Sequence, residues 1–99
     1  MFVALSKFVI ANEMADEVKT AFKQRPHLVE NCAGFIRLDV ISPCENPNEI
    51  WLMTYWDNEQ SYQTWHRSDA HRQSHQDMPK GLKLIPAETK LRFFNYICS

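Results

Sequence analysis

Ile50-Trp51-Leu52-Met53-Thr54-Tyr55-Trp56 is apolar on nearly every residue. As a strand it points Ile50, Leu52 and Trp56 to one face and Trp51, Met53 and Tyr55 to the other. An antiparallel sheet with one wet face alternates polar and apolar residues. This segment does not, so its sheet is expected to be covered on both sides. Phe2 to Ile10 reads the same way. Phe2, Ala4, Ser6, Phe8 and Ile10 share one face, and Val3, Leu5, Lys7 and Val9 share the other.

Working outward, Ser42 to Asn48 holds two prolines and several turn formers and is a loop. Before it, Gly34 lets the chain turn into a strand from Phe35 to Ile41. Asn12 is a candidate cap for a helix beginning near Glu13, with Met14, Val18 and Phe22 as its apolar stripe. Pro26 ends that helix near Gln24 and suits the first turn of a short helix, Pro26 to Asn31. After Trp56, Asp57 and Gln60 have capping-box spacing for a helix from Asn58 to His66. Ser68 caps a second piece from Asp69 to about Gln76, kinked from the first. A long loop follows to Glu88, and Lys90 to Ile97 is the last strand.

The order β-α-β-β-α-β is the split βαβ, or ferredoxin-like, arrangement of an α+β fold. Its helices cover one sheet face. The chain has 99 residues and no linker, so residues 1–99 read as one domain, and the second face is expected to meet the sheet of a second copy. The expected assembly is a homodimer with face-to-face sheets.

Composition excludes several functions. With 11 Lys+Arg against 12 Asp+Glu, the net charge of −1 supplies no excess of cations for a phosphate backbone, so nucleic acid is not an expected partner. No apolar run approaches the roughly 20 residues of a membrane span. The first residues lack a basic n-region before their apolar run, so they do not read as a signal peptide. Cys32, Cys44 and Cys98 are an odd count without a CxxC pair, which points to free thiols in a reducing cytoplasm.

The chemistry-bearing stretch is Trp65-His66-Arg67-Ser68-Asp69-Ala70-His71-Arg72-Gln73-Ser74-His75, which contains three of the four histidines. His71 and His75 are four apart on one helix face, a spacing that can share a metal ion. With no intervening Glu and no evident third ligand, they read more simply as two solvated histidines. A single histidine suffices as an axial ligand to haem iron. Trp65 and His75 would lie about 15 Å apart along a straight helix; a break at Ser68 lets both line one cavity. Trp65 alone reads first as a core tryptophan. Ser6 is the one polar residue on its strand face, either satisfied by a nearby carbonyl or aimed into that cavity.

His27-Leu28-Val29-Glu30-Asn31 leading to Ala33-Gly34-Phe35, and Thr54-Tyr55-Trp56-Asp57 leading to Tyr62, Trp65, Ser68-Asp69 and His75, give the chain a family likeness. It resembles the antibiotic biosynthesis monooxygenase superfamily, and within it the IsdG-like haem-degrading monooxygenases. The resemblance implies a dimeric α/β barrel that binds haem between helices and sheet. It implies His75 as the axial ligand to iron, Trp65 as the residue that ruffles the porphyrin, and Phe22 as an aromatic near the haem. Ser6 stands where the family has an asparagine near the distal ligand, a departure that puts turnover and product in question more than binding. The implied activity is a haem oxygenase that consumes its haem, with O2 and electrons from an external reductant such as a reductase, and releases iron. The alternatives are a cofactor-independent monooxygenase of a polycyclic phenol or quinol, and a haem-binding protein that does not turn over.

Overall fold

A computed structural model describes residues 1–76 and 78–99. Four strands, β1 (Phe2–Val9), β2 (Phe35–Ile41), β3 (Glu49–Trp56) and β4 (Lys90–Asn95), form one sheet of order β2-β3-β1-β4, antiparallel at every pairing. Helix α1 (Ala15–Lys23) joins β1 to β2, and α2 (Glu59–His66) with α3 (Asp69–Gln76) joins β3 to β4. This is the ferredoxin-like α+β arrangement expected from the sequence, with the longest-range pairing, β1 with β4, beside the central one.

The register fixes the two faces. Phe2, Ala4, Ser6 and Phe8 stand opposite Trp56, Thr54, Leu52 and Ile50, and this face carries the helices. Val3, Leu5 and Lys7 stand opposite Tyr55, Met53 and Trp51 on the face without helices. Cations lie over its aromatic rings: Arg37 is 4.5 Å from the Tyr55 centroid, Arg92 5.0 Å from Phe94, and Lys7 5.8 Å from Trp51.

The core is divided. One cluster joins Phe2, Ala4, Val29, Trp56, Tyr62 and Trp65. The other joins Ile10, Val18 and Ile50, with Phe8, Met14 and Phe22 packed against it under α1. Trp56 is fully buried, and its indole N–H is the orphaned buried side-chain donor among the described residues. The Phe35 and Tyr62 rings pack against its indole at steep angles, 5.3 and 5.9 Å between centroids.

Several local expectations are corrected. Asn12 does not cap α1. Glu13 takes a positive φ of 60°, and the helix starts at Ala15 without a side-chain cap. The Asn12 amide instead donates to the Gly81 carbonyl (2.7 Å) and accepts from the Lys83 N–H (3.2 Å), clamping the loop before β4 to the end of β1. Pro26 does not open a helix; His27 has a φ of 50°, and only Val29–Asn31 forms a single 3-10 turn. Arg25 and Glu30, 2.6 Å apart, close that corner. The capping box at Asp57 and Gln60 is replaced by Asn58, whose Oδ1 accepts from Ser61 N (2.9 Å). β1 stops at Val9, with Ile10 in an isolated bridge to Leu84, and β4 stops at Asn95 rather than Ile97. Gly34 is required twice over. Its φ is 84°, and a Cβ there would come within 2.6 Å of the Ser61 Cβ on α2.

Candidate active site

The site lies in the gap between the two core clusters. Ser6 follows Ala4 of the first cluster and precedes Phe8 of the second on the helix side of β1. Across the sheet its row continues through Leu52 and Val40 on one side and Leu91 on the other. Leu91 is 48% exposed, Val40 38%, and Phe93, opposite Ala4, 47%. Apolar side chains thus stand uncovered on the helix-bearing face, with the Ser6 hydroxyl in their row and the Thr54 hydroxyl in the next. Trp65 belongs to the cluster on one flank of this row and Phe22 to the cluster on the other, 6.4 Å from Phe8.

Ser68 shapes the other wall. Its hydroxyl donates to the Trp65 carbonyl (2.6 Å) and accepts from the His71 N–H (3.1 Å), so one side chain ends α2 and starts α3. The break at Ser68 is as expected. Ala70 docks α3 on the first cluster, and the rings then run in sequence. Tyr62 lies 5.5 Å from His66, His66 4.8 Å from His71, and His71 4.5 Å from His75, centroid to centroid. Trp65 meets His71 at 5.5 Å and 76°. The Nε2 atoms of His71 and His75 are 3.0 Å apart.

Trp65 is buried, as a core tryptophan is, while His75 is exposed at the end of α3. His71 is the link between them. The reading of His71 and His75 as two solvated histidines is corrected: His71 is half-buried against Trp65 and hydrogen-bonded to its partner. The HxxxH spacing was the available signal, but the fold around Ser68 decides how deep its first member sits. Burial, with the nearby His75 and His66 charges adding to it, pushes the His71 imidazole down to about 4 from the usual 6.5. The unfolded chain therefore takes up this proton first as pH falls. Stability contributed by neutral His71 is expected to drain away between pH 6.5 and about 4. Thermal melts of the wild type and His71→Phe across this range check it: the wild type should lose more Tm than the variant, and parallel losses would show that His71 does not titrate this way.

A hollow of about 330 Å³, lined by Leu5, Lys7, Trp51, Lys90 and Arg92, lies on the opposite, helix-free face and contains none of these groups. Cys44 and Cys98 are exposed free thiols and Cys32 packs on the first cluster, away from the imidazoles. Among the described residues, no helix is long and apolar enough to cross a membrane.

The sheet with helices on one face, and a series of aromatic and imidazole rings along α2 and α3, defines a ferredoxin-like α+β domain. The chain belongs to the antibiotic biosynthesis monooxygenase family, whose model matches residues 1–77. It is similar to the heme-degrading monooxygenase HmoA of Bacillus subtilis, 29% identical over 96 residues, covering 92% of this chain and 88% of the relative. It is also similar to the heme oxygenase (mycobilin-producing) of Mycobacterium tuberculosis, 29% identical over 49 residues; that match takes in 50% of this chain and spans about half, 47%, of the relative. Among solved structures, the heme-degrader MhuD of M. tuberculosis with two hemes in its active site superposes with a TM-score of 0.80 at 19% identity, covering 100% and 98% of the two chains. SnoaB, a cofactor-independent oxygenase from Streptomyces nogalater, superposes with a TM-score of 0.78 at 10% identity, covering 99% and 94%. The fold is common to both chemistries.

Proposed function

We propose that this protein is a haem-degrading monooxygenase, binding haem as its substrate and opening the porphyrin with O2 and electrons from an external reductase, with release of iron. The observation that carries the reading is that the helix-bearing face of the sheet leaves Leu91, Val40 and Phe93 uncovered around Ser6, while α3, docked on that face through Ala70, ends in the exposed His75 imidazole. Haem would suit such a surface, because its flat apolar ring could cover Leu91 and Phe93 while an imidazole held the iron. The activities of the curated relatives point the same way.

In this reading His75 would hold the iron, and Trp65 and Phe22 would bound the ring from opposite flanks. Trp65 is held by Phe2, Val29 and Tyr62, so it would offer a rigid wall to a bound macrocycle. Ser6 places its hydroxyl inside the row, able to donate and to accept. It is shorter than the family's asparagine, and a bridging water would let it reach the same partner. Bound haem supplies the redox chemistry; the chain supplies ligand, shape and exclusion of bulk water. Three free thiols suit a reducing cytoplasm.

The working unit in this proposal is a homodimer. The helix-free face carries Val3, Leu5, Trp51, Met53, Tyr55 and Phe94, ringed by Arg37, Asp39, Lys7, Lys90 and Arg92, and a second copy covers it with a matching sheet. Light scattering at micromolar concentration should give twice the 11.7 kDa chain mass, and a monomer would refute this part.

The test of function is a haemin titration of the purified protein, followed by a reductant under air. The expected result is a saturable Soret band at one haem per chain, then its loss with release of chelatable iron. A saturated band that survives reductant and air makes the protein a haem carrier. The absence of any saturable band removes the haem reading and leaves the phenol or quinol monooxygenase, to be assayed with such substrates directly.

A further inference from the structure

We infer that His71 and His75 form a chelating site for a divalent late transition-metal ion, independent of any haem. The two imidazoles stand one helical turn apart on α3, and their Nε2 atoms are already 3.0 Å from each other. Two imidazole nitrogens bound at about 2.0–2.1 Å in cis positions of a square or octahedral ion stand about 2.8–3.0 Å apart, whereas a tetrahedral ion spreads them to about 3.3–3.4 Å. The 3.0 Å separation is that of the present hydrogen bond, and it puts both nitrogens within reach of one imidazole-binding ion such as Cu2+ or Ni2+.

The backbone holds this bite. Ser68 starts α3 with a side-chain hydrogen bond to the His71 N–H, and Ala70 docks the helix on the first core cluster, so the first member of the pair is anchored. His71 is wedged by Trp65 at 5.5 Å and His66 at 4.8 Å, while His75 is exposed and free to turn its ring. In the present contact one Nε2–H donates to the other Nε2. On metal binding that proton moves to the same ring's Nδ1 by tautomerisation, both Nε2 lone pairs become free, and a small rotation of the rings brings them onto one point beside the line joining them. Among the described residues no third His, Cys, Asp or Glu converges on that point, so water completes the coordination shell. A filled chelate withholds His75 Nε2 from every other ligand. The site shares a residue with the haem reading but does not rest on it.

Ni2+ is the probe, because Cu2+ would oxidise the exposed thiols of Cys44 and Cys98. Nickel chloride is titrated calorimetrically into the haem-free protein. The expected isotherm is one ion per chain for the wild type and for His27→Ala, whose histidine lies in the distant Arg25–Glu30 corner. His71→Ala and His75→Ala should each weaken binding by about two orders of magnitude, because each removes the partner that makes the second bond intramolecular. Wild-type affinity in either variant, or no nickel uptake by the wild type, overturns the assignment. Neither residue is fully buried, and circular dichroism checks that both variants keep the wild-type fold. The haemin titration can fail without changing any of these outcomes.

Discussion

Trp65→Ala should lower stability by about 3–5 kcal/mol, the cost of emptying a large aromatic site in a packed core. Trp65 is 9% exposed and is one of six residues in the first cluster, where it joins α2 to β1, to β3 and to the turn at Val29. Domains of this size have a total stability of about 5–15 kcal/mol, so the variant is expected to be marginal. At about 4–8 °C per kcal/mol, its Tm should fall by roughly 12–40 °C. The loss also undermines α3, because Ala70 rests on the same cluster and Ser68 bonds the Trp65 carbonyl. Lost haem binding in Trp65→Ala would therefore say nothing about contact with haem. Trp65→Phe keeps an aromatic ring in the cluster and separates the two roles. If Trp65 bends the bound ring, the folded Phe variant binds haemin but degrades it slowly, since that contact favours the reacting geometry over occupancy. A Trp65→Ala protein with an unchanged melt would refute the core assignment.

The sequence was most informative where signals are local. Gly34 and the alternation after it bound β2 at Phe35–Ile41, and Ser68 followed by Asp69 bounds α3 at Asp69–Gln76, both as expected. The element order β-α-β-β-α-β identified the ferredoxin-like arrangement. What stayed hidden was decided by partners far along the chain. Asn12 looked like a helix cap because Asn caps helices, but its hydrogen-bonding groups found Gly81 and Lys83, 69 and 71 residues away. Asp57 had capping-box spacing, yet the close approach of Ser61 to Gly34 goes with Asn58 as the cap. The two-faced strands showed that the helix-free face is aromatic but not that Arg37, Arg92 and Lys7 lie over its rings. At the candidate site the family resemblance, not residue type or spacing, marked Trp65 and His75, whereas the kink geometry placed His71 between them. The division of the core, which leaves the Ser6 row open, has no sequence signature, since Ala4, Ser6 and Phe8 alternate as an ordinary strand face does.

His75→Ala should lose the saturable haemin band, with affinity falling by more than about 100-fold, the upper end of what losing even an outer-shell metal partner costs. His75 is well suited to an uncomplicated test. It is exposed, α3 has no buried residue, and Ala is the better helix former, so the variant should melt at or slightly above the wild-type temperature. Any loss of the band then reflects the missing ligand rather than a damaged fold, the reverse of the Trp65→Ala case. His66→Ala is the internal control, since its ring lies between Tyr62 and His71 rather than at the free end of the series. His71→Ala is the more searching comparison. Its Nε2 is 3.0 Å from that of His75, so it is the residue best placed to substitute as ligand. It is also wedged beside Trp65, and reaching a haem over the open row would require leaving that contact. The expected order is therefore loss in His75→Ala and retention in His71→Ala and His66→Ala, with added free imidazole restoring the band to His75→Ala. If His71→Ala loses the band and His75→Ala keeps it, the ligand is His71. If all three variants keep it, imidazole ligation, and with it the haem reading of this wall, is wrong.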